Sequence, residues 1–344
     1  MNNKPVISSL LRVLLGTASF VIVVAGMKAA SPILVPFLLS VFIAIICTPP
    51  LFWMRKKGIP DMLAIALIVI AIIGAGALMT IFVGASVNDF TANIPEYRER
   101  LMSQTSGILE WLNSHGIEVS EEAIFKDYNP GSVMQLAGRL LTGLSGVLSN
   151  ALLILLTVIF ILLEASGFPA KLRMALDRPE GSLAGFRRFT ESVNRYLALK
   201  TIFSLITGCV VALWLLVLGV DYAFLWGLLA FLLNYIPNIG SIIAALPAVL
   251  LTTVQLGLGH AIAVACGYVA VNVLVGSVIE PRFMGKGLGL STLIVFLSLV
   301  FWGWVLGPVG MLLSVPLTMI VKIALESSAD TGWLAVILGS GGSA

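Results

Sequence analysis

Eight long apolar runs, separated by short charged clusters, limit what this chain can become: residues 13–27, 33–53, 62–87, 147–163, 201–218, 222–254, 260–279 and 288–325. A helix needs about 20 apolar residues to cross about 30 Å of hydrocarbon. Of 344 residues, 59% are hydrophobic and 11% charged, against about 45–50% and about 25% in a soluble domain. A water-soluble globule cannot hide that much apolar surface. A net charge of +3 from 20 bases and 17 acids offers no basic field to nucleic acid. The expected fold class is an all-α polytopic membrane protein.

Lysine and arginine positions set the orientation. Lys4 and Arg12 precede the first span, and Arg55, Lys56 and Lys57 follow the second, so both segments are expected in the cytoplasm. Residues 88–146 carry eight acids and four bases and are placed outside, while residues 164–200 carry seven bases and four acids and return inside. The first run resembles a signal peptide, but a second span follows almost at once, which reads as a retained helix. The predicted organisation is a three-helix membrane region at 1–87, an extracytoplasmic amphipathic segment at 88–146 and a transmembrane helix at 147–163. A cytoplasmic basic segment at 164–200, a transport region at 201–325 and a cytoplasmic tail at 326–344 complete it.

Within 88–146, Tyr97, Leu101, Ile108, Leu109 and Leu112 share a helical face that Pro95 opens and Gly116 ends, and Ser120 looks like the cap of a second short helix. In 164–200, Phe186, Phe189, Val193, Tyr196 and Leu197 face away from Arg187, Arg188, Glu191 and Arg195, as in a basic helix lying in the membrane interface. Gly76, Thr80 and Gly84 recur every four residues, a pattern suited to close helix packing. Cys47, Cys209 and Cys266 lie inside apolar runs without metal-ligand or CxxC spacing and read as small buried residues.

The C-terminal half carries the functional signal. Between Lys200 and Glu326 stand only five charges: Asp221, Glu280, Arg282, Lys286 and Lys322. The run at 222–254 is too long for one crossing and is interrupted at Pro237, Gly240 and Pro247. The run at 288–325 is interrupted at Gly303, Gly307, Pro308, Gly310 and Pro316. Proline removes a backbone donor and glycine loosens a helix. Freed backbone at membrane depth is tolerated only inside protein or a wet cavity. Paired broken segments of this kind point to a transporter's substrate site. If 222–254 is a re-entrant hairpin opening outward, Arg282 and Lys286 fall in the cytoplasm, and 288–325 forms a second hairpin from that side. The chain then holds about six full transmembrane helices plus two re-entrant hairpins, related as a C-terminal inverted repeat. Eight simple spans are the alternative.

Three motifs carry a family resemblance: Asn234-Tyr235-Ile236-Pro237-Asn238-Ile239-Gly240, Glu280-Pro281-Arg282-Phe283-Met284-Gly285, and Gly307-Pro308-Val309-Gly310-Met311-Leu312-Leu313-Ser314-Val315-Pro316. They resemble those of the autoinducer-2 exporter family, and the similarity extends over the whole chain. The resemblance implies a bacterial inner-membrane permease exporting a small polar solute, the quorum-sensing signal autoinducer-2. Some similar proteins are assigned sodium–proton exchange, and a channel-like or scaffolding membrane protein is a further alternative.

No phosphate-binding G-x-x-x-x-G-K-[ST] loop, catalytic constellation or metal-ligand set is present, so secondary transport without cofactor, metal or enzymatic step is expected. Glu280, beside Pro281 and Arg282, is the candidate coupling or gating carboxyl, either free for that role or paired with Arg282 or Lys286. Asn234, Asn238 and Ser241 around Pro237, with Asn272 in the next helix, are candidate polar contacts for an oxygen-rich cargo, and Tyr235 could pack against its ring. The expected partners are that solute, the lipid bilayer and further copies of the chain, as a pentamer. Both termini are expected in the cytoplasm.

Overall fold

A computed structural model describes residues 9–114, 150–165, 167, 171, 179–237, 239–284, 290–326 and 331–339. Among them every element is helical: α1 (Ser9–Ala29), α2 (Ser31–Lys56), α3 (Asp61–Ser114), α4 (Ala151–Glu164), α5 (Pro179–Val217), α6 (Ala223–Leu233), α7 (Ile239–Leu256), α8 (Leu258–Val271), a π-helix (Asn272–Ile279), α9 (Glu280–Met284), α10 (Thr292–Glu326) and α11 (Gly332–Leu338). Among the described residues six stretches are long and apolar enough to cross a membrane: Ser31–Lys56, Asp61–Phe90, Glu191–Val217, Ile239–Leu256, Leu258–Phe283 and Thr292–Glu326. The chain is a multi-pass membrane protein.

Three apolar clusters organise the helices. Ala44 and Leu51 of α2 meet Ala64, Ile65 and Ile68 of α3 and Ile154, Val158 and Leu162 of α4. The Ser40 hydroxyl donates to the carbonyls of Pro36 at 2.7 Å and Ile154 at 3.2 Å, tying α2 to α4. A second cluster joins α5 to α6, α7 and α8 and draws in Phe90 and Tyr97 of α3. The third surrounds Trp302, Leu306 and Leu313 of α10 with Val24, Phe42, Tyr196, Leu197 and Tyr235.

Several boundaries differ from the sequence reading. α3 runs for 54 residues straight through Pro95, which therefore does not open a separate helix. Pro95 is exposed, and the one donor that its ring removes does not end the helix. The Gly116 stop and the Ser120 cap lie outside the described residues. α5 likewise crosses the boundary drawn at Lys200 without interruption. No Gly or Pro separates Phe186 from Thr207, and a change from polar to apolar composition does not stop a helix. Val193, Tyr196 and Leu197 are buried against protein rather than laid in the interface. Among the described residues the Gly76–Thr80–Gly84 stripe has no packing partner: neither glycine has a neighbour where a Cβ would stand, and Thr80 bonds back to Gly76. The cysteines are free, and Cys209 and Cys266 are exposed rather than buried.

The two interrupted runs both fold back on themselves. Gln255, at the end of α7, accepts from the Asp221 amide at 2.9 Å and donates to the Gly219 carbonyl at 3.1 Å. Those partners precede α6, so the two ends of the segment lie side by side and α6–α7 is a helical hairpin. In the other run, Gly307 (φ 70°, ψ −154°) interrupts α10, a conformation open to glycine at little cost. Trp302 Nε1 then reaches Thr318 Oγ1 at 3.0 Å across the turn. α11 closes the base, since Ser291 donates to Leu338 and Thr331 to Leu325. The breaks sit at 234–237 and at Gly307. Pro247 and Pro316, expected to add further breaks, are buried inside continuous helices, where one missing donor is insufficient to end a packed helix. Gly303 serves packing, because a Cβ there would stand 2.7 Å from Met311 Cγ.

The tips are built alike. A Cβ on Gly240 would fall on the Leu233 carbonyl and lie 3.2 Å from Ile236 Cβ. One on Gly310 would fall on the Trp302 carbonyl and lie 2.7 Å from Leu306 Cβ. In each, the returning helix passes too close to the arriving one for any larger residue.

Candidate functional site

The tip of the first hairpin and the foot of the π-helix converge on one turn of α5. Helical spacing brings Tyr196, Lys200, Thr201 and Ser204 to one face of that helix. Asn234 Nδ2 donates to Ser204 Oγ at 3.0 Å, and Tyr235 OH donates to Thr201 Oγ1 at 2.9 Å. Lys200 Nζ donates to Glu280 Oε1 at 2.7 Å. All three contacts fall within five consecutive residues of α5. The close approach comes from Gly208 and Gly227: a Cβ on Gly208 would stand 2.8 Å from the Gly227 carbonyl, which brings the α5 and α6 backbones together.

Apolar walls surround these polar groups. The Tyr235 ring meets Phe42 edge-on at 5.9 Å and Phe231 at 5.8 Å. Phe203 packs on Phe283 at 5.7 Å, fastening α9 to α5. Lys200 and Glu280 have side-chain exposures of 7% and 11%. Asn234 and Tyr235 are also buried.

The expected site residues separate accordingly. Asn234, Tyr235 and Glu280 come together on α5. Ser241 lies just beyond the tip, its Oγ buried without a hydrogen-bond partner among the described residues. Asn272 opens the π-helix, eight residues before Glu280, with its Oδ1 held 3.1 Å from where a Cβ on Gly276 would be. Asn238 lies outside the described residues. Arg282 is exposed, and Glu280 takes Lys200 as its partner, not Arg282. Lys286 lies outside the described residues. Sequence reasoning missed Lys200, Thr201 and Ser204, having drawn a segment boundary through them. A lysine that opens a stretch of 125 residues with five charges is a signal that a partner is required.

At the base of the first hairpin a second polar group ties it to α3. Tyr97 OH donates to Asp221 Oδ2 at 2.7 Å, Tyr222 OH to Asp89 Oδ2 at 3.1 Å, and Asn93 Nδ2 to Tyr222 OH at 3.2 Å. Arg100 reaches the Gln255 carbonyl at 3.4 Å. Tyr222 holds φ 59°, a left-handed conformation rare for a non-glycine residue. Burial, with the Asp221 carboxylate beside it, pushes the Tyr97 hydroxyl well above the ordinary tyrosine range. Asp221 is therefore a built contact and not a solvated turn charge. Glu164 pairs with Lys171 at 2.6 Å on the surface.

Against known proteins, residues 17–330 match the model of the AI-2E family transporters. The chain belongs to the AI-2E transporter family. It is 44% identical to AI-2 transport protein TqsA of Escherichia coli strain K12, over 97% of this chain and 98% of that one. A Haemophilus influenzae protein described as a transport protein is 45% identical over 95% of this chain and 96% of its own. YhhT, a second Escherichia coli strain K12 protein described as a transport protein, is 40% identical over 96% of this chain and 95% of its own. As an AI-2E family member this chain is a membrane transport protein. The family match spans both hairpins, α5 and the π-helix.

Proposed function

We infer that this AI-2E transporter exports a small polar solute, autoinducer-2, across the bacterial inner membrane by a secondary mechanism without ATP. The observation that carries the reading is the convergence of Asn234, Tyr235 and Glu280 on residues 200–204 of α5, at the tip of a folded-back pair of helices. The near full-length relative named for AI-2 transport supports autoinducer-2 as the cargo. Autoinducer-2 is small and oxygen-rich, so it suits amide and hydroxyl partners such as Asn234, Asn238, Ser241 and Asn272 beside the Tyr235 ring. The hairpins read as re-entrant, the first open to the outside and the second to the cytoplasm, with both termini in the cytoplasm. The Lys and Arg distribution supports that orientation. Copies of the chain are read as a homo-oligomer, a pentamer. The exposed Gly76–Thr80–Gly84 stripe supports helix packing between copies, and the native mass of the purified protein measures their number.

The test is efflux of labelled autoinducer-2 from proteoliposomes with and without an imposed pH gradient. Efflux no faster than from empty liposomes would refute the reading. A sodium–proton antiporter is the second reading, favoured by a membrane-depth carboxyl at Glu280. It requires Glu280→Gln to abolish gradient-linked sodium flux. Wild-type-like autoinducer-2 efflux in that same variant, with sodium exchange lost, would favour the antiporter.

A further inference from the structure

Lys200 and Glu280 carry opposite charges into the protein interior and meet at 2.7 Å. Such a pair is a poor way to stabilise a fold. Desolvating both ions is costly, and apolar residues of similar size often serve as well. What the pair joins is more informative. Lys200 shares its turn of α5 with Thr201 and Ser204, which hold Tyr235 and Asn234 of the hairpin tip. Glu280 directly follows the eight-residue π-helix Asn272–Ile279, a winding that is rare and recurs at functional sites. Rewinding those residues as α-helix would turn Glu280 about the axis and away from Lys200. Tip, ion pair and π-helix therefore belong to a single conformation. The groups facing Glu280 from α5 are Lys200 and the buried Tyr196.

We propose that Lys200 is a positioning residue of the transport site: its ion pair with Glu280 is a lock that holds the π-helix and the hairpin tip against α5 at rest, and it parts when cargo passes. Only the final step rests on the export reading.

The experiment uses the full chain in proteoliposomes, with Cys47, Cys209 and Cys266 changed to Ala and Thr207→Cys as reporter. Thr207 is 5% exposed and stands one turn beyond Ser204, so a thiol there is shielded in the resting fold. Lys200→Met with Glu280→Gln removes both charges and leaves no uncompensated ion. The expected result is a melting temperature close to that of the parent, with maleimide labelling at least about tenfold faster, the scale of a lost charge-assisted hydrogen bond. Labelling at the parent's rate would mean that the pair only fills space, and would overturn the proposal. Should the neutral variant fail to fold, Lys200→Glu alone and the reversed pair Lys200→Glu with Glu280→Lys decide together. Labelling about tenfold faster in the single variant and back at the parent's rate in the reversed pair supports the lock; the parent's rate in both, or no return in the reversed pair, overturns it. The thiol readout needs no cargo. Absent autoinducer-2 flux in the parent would thus defeat the export reading while leaving the lock to be judged by labelling.

Discussion

Asn234 shows how a single side chain can report on two functions. Its amide is buried and bonded to Ser204, so Asn234→Ala leaves the serine hydroxyl without its donor at a cost of about 1–3 kcal/mol. Ser204→Ala imposes a similar cost from the other side. If Asn234 also touches cargo, the two variants will melt at similar temperatures, but only Asn234→Ala will raise the KM for autoinducer-2 efflux. Tyr97 makes a different, pH-dependent prediction. Its hydroxyl is held above the ordinary range by burial and then by Asp221, so the fold favours the neutral phenol. The stability this adds is complete below the unfolded tyrosine's value of about 10 and is lost as pH rises beyond it. Thermal melting between about pH 8 and 11 should therefore fall more steeply in the wild type than in Tyr97→Phe.

At the scale of the element, the glycines at the tips matter more than the prolines. Gly240→Ala and Gly310→Ala would each drive a Cβ onto a backbone carbonyl of the arriving helix. Backbone cannot move aside as a side chain can, so each should destabilise by at least about 2 kcal/mol. Gly307→Ala adds backbone strain of about 1–3 kcal/mol, because positive φ with extended ψ is essentially a glycine conformation. Pro247→Ala should be neutral or stabilising, because the helix already continues through that position and gains a donor. Melting temperatures of the four purified variants check this ranking. The sequence had marked all these positions as interruptions, since Pro and Gly weaken helices wherever they occur. It could not separate those that break from those that pack, because that depends on which backbone passes close by. The same limit explains Pro95 and Lys200, both read as boundaries and both found inside continuous helices.

For the whole molecule, the decisive geometry is the meeting of the two ends of the first hairpin at Gln255 and Asp221. Apolar run length revealed a membrane protein, and two runs too long for one crossing pointed to re-entrant hairpins while leaving eight simple spans open. The partners of Glu280 and Asn234 were not legible, because pairing across the fold leaves no periodicity in one sequence. With the first hairpin open to the outside, a single cysteine at Lys286 should react only from the cytoplasmic side, and one at Gly219 only from outside. Impermeant maleimides applied to right-side-out and inverted vesicles give the answer, and outside labelling at Lys286 would restore eight plain crossings.

The uninterrupted α3 has a mechanical consequence. At 1.5 Å per residue, the 24 residues that follow its apolar part (Asp61–Phe90, of a helix ending at Ser114) project about 36 Å as a stiff rod. Asn93, Tyr97 and Arg100 pin the root of that rod to the base of the first hairpin. A tilt of about 10° at the root would sweep its far end through about 6 Å. A motion too small to resolve at the base of the hairpin becomes a displacement that a pair of spin labels can measure, with the arm acting as the pointer of a gauge.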